Sequence, residues 1–196
     1  MFAFFAGLAA GLLHVFSGPD HLAAVAPFAA DGAGKQWRTG LQWGVGHTAG
    51  VLLIAMLLLI LKEQLPLELL STYSERIVGV SLIVIGCWGV WKASRAVIEP
   101  HSHAGASFAM GTIHGLAGSS HLFGVLPALA FSARVDSLLY LAGFGIGAIA
   151  GMSAFAAGIG LLSARWGRNH HRRYSGVLYA SSAIALVIGG FWLVGH

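Results

Sequence analysis

The sequence has few charged residues. Aspartate, glutamate, lysine and arginine together make up 9% of the 196 residues, whereas soluble domains carry about 25%. Apolar residues make up 57% before the 28 glycines are counted, and a chain of this size has too little interior to bury so much apolar surface. The composition therefore excludes an ordinary soluble domain and predicts an integral membrane protein.

Other residue types and motifs that the sequence lacks exclude several classes of site and function. The lone cysteine, Cys87, excludes an internal disulfide and a site built from several thiolates. The net charge of +4 comes without a basic block that would bind nucleic acid. The GAGK sequence at 32–35 lacks the spacing and the Ser or Thr of a phosphate-binding loop, and no HExxH metalloprotease motif occurs. We therefore expect a protein that is not an enzyme and has no organic cofactor.

Six apolar stretches are long enough for membrane-spanning helices, which need about 20 residues. They cover residues 2–30, 39–61, 77–97, 107–132, 137–164 and 174–195. The third is the weakest, because Lys92 and Arg95 fall in its last turns, where such side chains can reach the membrane interface. The polar stretches between the spans are too short for a soluble domain. The sequence thus predicts one membrane domain over residues 1–196.

Lysine and arginine are distributed unequally between the two predicted sides of the membrane. The loops after the first, third and fifth spans contain Lys35, Arg38, Lys92, Arg95, Arg165, Arg168, Arg172 and Arg173. The other side contains only Lys62, Arg76 and Arg134. Short loops rich in these residues usually face the cytoplasm. We therefore expect a multi-pass membrane protein with both termini outside.

The chain contains an internal repeat. The stretches HVFSGPDHLAAVAPFAA from His14 and HGLAGSSHLFGVLPALA from His114 share the pattern H-x3-G-x2-H-L-x2-V-x-P-x2-A. The second and fifth spans share a weaker echo, WGVGHTAG from Trp43 and FGIGAIAG from Phe144, and the third and sixth share only VIG. Because each repeat has three spans, the second copy must enter the membrane from the opposite side. The sequence thus predicts inverted three-helix repeats over about 1–98 and 107–196.

Glycine and proline interrupt the first and fourth predicted spans at corresponding places, 17–20 and 115–120. Pro19 removes a backbone donor and disfavours helix at the residue before it. Paired breaks of this kind indicate a binding site near the membrane midplane. We therefore expect broken first and fourth helices around such a site.

One carboxylate and several imidazoles are predicted to lie near the membrane midplane. Asp20 is the only acidic residue deep within a predicted span, and His14, His21 and His47 are predicted to lie near it. Ionisable groups in a membrane are costly and therefore indicate function, and these donors suit a divalent transition metal. On a straight helix His14 and His21 would stand about 10 Å apart along the axis, so the break must bring them together.

The second repeat lacks part of this set. Ser120 and Ala148 replace Asp20 and His47, and we expect His114 and His121 to serve as a gate or as additional ligands. Four loop histidines could capture metal on the cytoplasmic side or simply belong to solvated loops: His101, His103, His170 and His171. Glycines spaced four apart, such as Gly143, Gly147 and Gly151, predict close helix packing.

The stretches HVFSGPDHLAAVAPFA and WGVGHTAGVLL resemble the nickel–cobalt transporter family, and within it the short six-span branch of UreH-type urease accessory permeases. His14, Asp20 and His21 match the H-x-x-x-D-x-D-H signature of that family, and Gly46–Thr48 match its G-H-[ST] motif. Gly18 stands where the larger transporters carry the first aspartate. The resemblance implies a permease of a bacterial inner membrane that takes up Ni²⁺, with Co²⁺ as the second candidate, through this His/Asp site. The partners to expect are the lipid bilayer, a second copy in a homo-oligomer, and a cytoplasmic metallochaperone.

Three alternatives remain open from the sequence. The same fold could export metal instead of importing it. A small-anion exporter, for example for a sulfur oxyanion, could use helix N-termini, although Asp20 would repel an anion. A haem protein could use two histidines as axial ligands.

Overall fold

The computed structural model describes residues 1–31, 35–61, 67–95, 104–117, 124–167 and 171–194. Their regular structure is entirely helical, as the composition predicts. Over these ranges the helices are α1 (Phe2–Ser17), α2 (Pro19–Asp31), α3 (Trp37–Leu61), α4 (Leu67–Arg95), α5 (Ala104–Ala117), a 3₁₀ helix (Leu126–Ala130), α6 (Arg134–Gly167) and α7 (His171–Val194).

Three segments of the described helices are long and apolar enough to cross a membrane: Glu75–Arg95, Arg134–Arg165 and Ser175–Val194. The bent pair of α1 and α2 gives a fourth if it is counted as one span. Helices α1 and α5 have 16 and 14 residues, so each is only about 21–24 Å long and shorter than the hydrocarbon core of about 30 Å. Over the described ranges the structure is therefore all-α, with three helices able to span a membrane, or four with the bent pair, and the six spans expected are not confirmed.

The predicted break in the first span is present. Helices α1 and α2 meet at an angle of 74°. Gly18 lies between them in an extended conformation, and its N–H donates to the His14 carbonyl oxygen at 3.1 Å. Pro19 begins α2, where a missing N–H costs nothing because the first turn of a helix has no partner for it. After the bend, α2 is buried along nearly its whole length.

Only part of the expected fourth span, 107–132, with its predicted break at 115–120, lies among the described residues. Helix α5 covers Ala104–Ala117. Residues 118–123, including Ser120 and His121, lie outside the described residues. The chain resumes as the short 3₁₀ helix, which α6 holds by hydrogen bonds from Ser137 Oγ to Ala128 O and from Tyr140 Oη to Gly124 O.

Two helix pairs, α1 with α6 and α3 with α5, make equivalent contacts. In both pairs a glycine approaches a carbonyl oxygen of the partner helix so closely that a Cβ would collide with it: Gly11 with Phe144, Gly147 with Leu8, Gly111 with Trp43, and Gly46 with Phe108. The internal repeat relates these contacts. Each α1 residue corresponds to the α5 residue 100 positions later, and each α6 residue corresponds to the α3 residue 101 positions earlier, so the first two contacts are equivalent to the last two. The predicted packing role of these glycines is confirmed.

Helices α4 and α7 form the third pair. Gly86 approaches the Ser182 carbonyl oxygen, and Gly189 approaches the carbonyl oxygen of Gly79. The two contacts are equivalent when α4 residues are matched to α7 residues 103 positions later. The two VIG sequences of these helices are separated by the same 103 residues. The helix contacts of all three pairs therefore repeat between the two halves of the chain.

Lys92 pairs with a carboxylate inside the helix bundle, which the sequence did not predict. Its Nζ lies 2.9 Å from Asp31 Oδ2, and the two side chains are 10% and 1% exposed. Asp31, at the end of α2, is thus a second buried carboxylate. Ser163 Oγ of α6 donates to the Ala30 carbonyl oxygen at 3.1 Å. The C-terminal ends of α2, α4 and α6 therefore meet at one end of the bundle.

Candidate metal site

Three histidines converge where the bent pair meets α3. His14 lies in the last turn of α1, His21 near the start of α2 and His47 within α3. Each offers one ligand nitrogen, and these three nitrogens lie within 4.8 Å of one another. We call these residues the histidine triad. Three neutral imidazoles at such separations suit a divalent transition metal.

The break after α1 creates this arrangement. The ring centroids of His14 and His21 are 4.6 Å apart, whereas a continuous helix would separate the two residues by about 10 Å along its axis. The His47 ring lies 4.9 Å from that of His21 and 5.7 Å from that of His14. The bend at Gly18 therefore brings His14 and His21 together, as the sequence predicts.

Asp20 stands beside the triad and connects two histidines. Its Oδ1 lies 3.1 Å from His21 Nδ1, and its Oδ2 lies 3.1 Å from His114 Nε2. Asp20 occupies the first turn of α2, where a carboxylate is stabilised by the helix dipole. An imidazole with one nitrogen facing a carboxylate is fixed in orientation and presents its other nitrogen as a ligand. The structure thus places Asp20 where it can orient His21 and balance the charge of a cation.

Aromatic rings enclose the cluster, and sequence reasoning missed them. Trp43 is fully buried and stacks on His47, with ring centroids 4.9 Å apart. Its centroid is also 5.4 Å from that of His114, and the centroid of Phe144 is 5.4 Å from that of His14. The Trp43–His114 and Phe144–His14 pairs are related by the internal repeat. The similarity of WGVGHTAG and FGIGAIAG could therefore have indicated that these two aromatic residues occupy equivalent positions.

The site is almost closed to solvent. His21, His47 and His114 are at most 1% exposed and Asp20 is 4% exposed, while His14 is only partly buried. Buried charge and polar groups are costly in a low-dielectric interior unless they are paired. The pairing of Asp20 with two histidines meets that requirement for the Asp20 carboxylate.

The remaining predicted histidines are not placed. His101, His103, His121 and His170 lie outside the described residues, and so does the imidazole of His171. Their predicted roles in gating or metal capture stay predictions.

Comparison with known proteins places the chain in a family. The urease accessory protein UreH of Bacillus sp. (strain TB-90) is 30% identical over 189 residues, which cover 84% of this chain and 80% of that protein. The chain belongs to the UreH family. No protein-family model matches it, and no solved structure matches it significantly.

Two chloroplast proteins of Arabidopsis thaliana are also similar to this UreH-family chain. FOR GROWTH AND FERTILITY 2 is 34% identical over 200 residues, covering 93% of this chain and 54% of that protein. FOR GROWTH AND FERTILITY 1 is 44% identical over 95 residues, covering 48% of this chain and 26% of that protein. The chain therefore spans about half the length of the first relative and a quarter of the second.

Proposed function

We propose that the protein is a membrane permease for a divalent transition-metal ion, with Ni²⁺ as the preferred substrate and Co²⁺ as the second. The observation that carries this proposal is the histidine triad, whose ligand nitrogens lie within 4.8 Å of one another. Membership of the UreH family supports it, since a relative named as a urease accessory protein fits a role in metal supply.

The triad needs little movement to hold an ion. Nitrogens bound to a metal at about 2.1 Å stand about 3–3.5 Å apart in common geometries, so shifts of about an ångström in the side chains would close the set. Ser17 Oγ hydrogen-bonds to the Leu13 carbonyl oxygen at 2.6 Å and helps satisfy the exposed end of α1. Two of the three ligands, His14 and His21, thus lie at helix ends on either side of the bend, and His47 lies within α3.

We further propose the six-span, inverted-repeat architecture for this permease. Helix contacts that recur at offsets of 100, 101 and 103 support it, because a two-fold axis between the halves would produce such pairs. The meeting of the ends of α2, α4 and α6 supports placing the three cation-rich loops on one side. In this arrangement the triad lies near the midplane, where secondary transporters bind substrates.

We propose uptake into the cytoplasm of a bacterium, with both termini outside. Two positive charges moving inward across 100 mV gain about 4.6 kcal/mol, which can drive uptake without nucleotide hydrolysis. The chloroplast relatives extend the same hypothesis to an organelle membrane of bacterial type.

The geometry disfavours the alternatives to metal transport. The three imidazole centroids of the histidine triad are 4.6–5.7 Å apart, so a porphyrin does not fit between any two of these rings as they stand. The N-terminus of α2, which would attract an anion, already has the Asp20 carboxylate in its first turn. Only flux measurements distinguish export of metal through the same site from uptake.

Calorimetric titration of Ni²⁺ into the purified protein in lipid nanodiscs tests the proposal. We expect one ion per chain, and a loss of at least about tenfold in affinity for His47→Ala, because a ligand is removed. His196→Ala is the matched control, since it removes a histidine that is not among the proposed ligands. Equal affinities for the wild type and His47→Ala would overturn the proposed site.

A further inference from the structure

One buried donor beside the triad has no hydrogen-bond partner in the part of the chain that the structure describes. Trp43 Nε1 is inaccessible to solvent, and among the described residues no acceptor lies within hydrogen-bonding distance of it. The whole side chain is 0% exposed. A buried N–H group without a partner costs about 1–3 kcal/mol, and in a membrane interior no bulk water reduces that cost.

Packing alone does not explain an indole at this position. The repeat-related residue is Phe144, whose ring lies 5.4 Å from that of His14, the same distance as between Trp43 and His114. A phenyl ring therefore fills the equivalent place beside a histidine without any donor. The difference between the two sites is the N–H group of Trp43.

The surroundings of Trp43 indicate what accepts its hydrogen bond. The indole stacks on His47 and its centroid is 5.9 Å from that of His21, so it adjoins two of the three proposed ligands. An ion held by three protein ligands keeps at least one coordination position for water. The oxygen of such a water has a lone pair that is not used by the metal and can accept from an N–H donor.

We infer that the Trp43 indole N–H donates a hydrogen bond to a water molecule that the substrate ion keeps in the site. Trp43 is then a specificity residue, which favours ions that enter partly hydrated over ions that lose all their water. The inference rests on the proposed function, because it requires an ion at the histidine triad. It assigns Trp43 a role in recognition that neither the motifs nor the triad requires.

Trp43→Phe is the direct test, because it keeps an aromatic ring on His47 and removes only the donor. Ni²⁺ titration in nanodiscs should give a dissociation constant about three- to tenfold above the wild-type value, the range for loss of one neutral hydrogen bond. Trp91→Phe is the control, since Trp91 is 51% exposed on α4 and should leave the constant unchanged. The absorption bands of bound Co²⁺ should also shift in Trp43→Phe, because the coordinated water loses its partner.

A purely structural role would lower the melting temperature of metal-free Trp43→Phe and leave the Co²⁺ bands at their wild-type positions, and that result overturns the inference. Unchanged Ni²⁺ affinity overturns it as well. If Trp43→Phe does not fold, benzothienylalanine at position 43, in which sulfur replaces the N–H group, allows the same comparison. If His47→Ala also binds Ni²⁺ like the wild type, the proposed function fails; if only Trp43→Phe does, the inference fails alone.

Discussion

Asp20 Oδ2 lies 3.1 Å from His114 Nε2, and this contact joins two histidine motifs that are 94 residues apart in the chain. Asp20 belongs to the first repeat, and His114 is the repeat equivalent of His14. The second repeat lacks the carboxylate, yet its histidine meets the carboxylate of the first. One site therefore draws on both halves of the protein.

Asp20→Asn should remove the negative charge of this site and leave its shape nearly unchanged. We expect the variant to fold, because an amide has nearly the same size and its burial costs less than that of a carboxylate. Ni²⁺ should raise the melting temperature of the wild type by mass action, and this rise should largely disappear in Asp20→Asn. A full Ni²⁺-induced shift in the variant would show that Asp20 has no part in binding.

Close helix packing should be essential at Gly115 and unimportant at Gly158. A Cβ at Gly115 would collide with the His47 carbonyl oxygen, whereas a Cβ at Gly158 has open space around it. Gly115→Ala should therefore cost about 1–3 kcal/mol of stability and weaken Ni²⁺ binding by displacing His47. Gly158→Ala should be neutral or stabilise α6 by up to about 1 kcal/mol. Equal melting temperatures for the two variants would contradict this packing.

The buried ion pair of Asp31 and Lys92 should matter for stability and not for metal binding. Lys92→Met leaves a buried carboxylate unbalanced and should cost about 3–5 kcal/mol, whereas Asp31→Asn combined with Lys92→Met should recover most of that loss. Asp31 follows Asp20 by 11 residues of helix, about 16 Å, so the double variant should bind Ni²⁺ like the wild type. Thermal unfolding and calorimetry of the three proteins check both statements.

The distribution of lysine and arginine predicts the orientation of the protein. A reporter enzyme fused after His196 should be active in the periplasm, because the three loops rich in these residues should face the cytoplasm. Cytoplasmic activity at that fusion would contradict either the orientation or the number of spans.

The sequence predicted those features that depend on local pattern. Scarcity of charge indicated a membrane protein, and the Gly18–Pro19 pair located the bend that brings His14 to His21, because both signals act within a few residues. The ion pair of Asp31 and Lys92 could not be predicted from the sequence, because it depends on how α2 and α4 approach each other. The role of Trp43 could not be predicted for the same reason. An aromatic residue in an apolar span gives no sign of function in the sequence, and its contacts with His47 and His114 depend on the tertiary structure.

Transport itself is the most direct test of the central claim. Wild-type protein reconstituted in liposomes with an inside-negative potential should accumulate Ni²⁺, and His14→Ala, His21→Ala and His47→Ala should each abolish accumulation at equal protein content. His196→Ala should transport like the wild type. Accumulation at the wild-type rate by all three triad variants, or none by the wild type, would contradict the account.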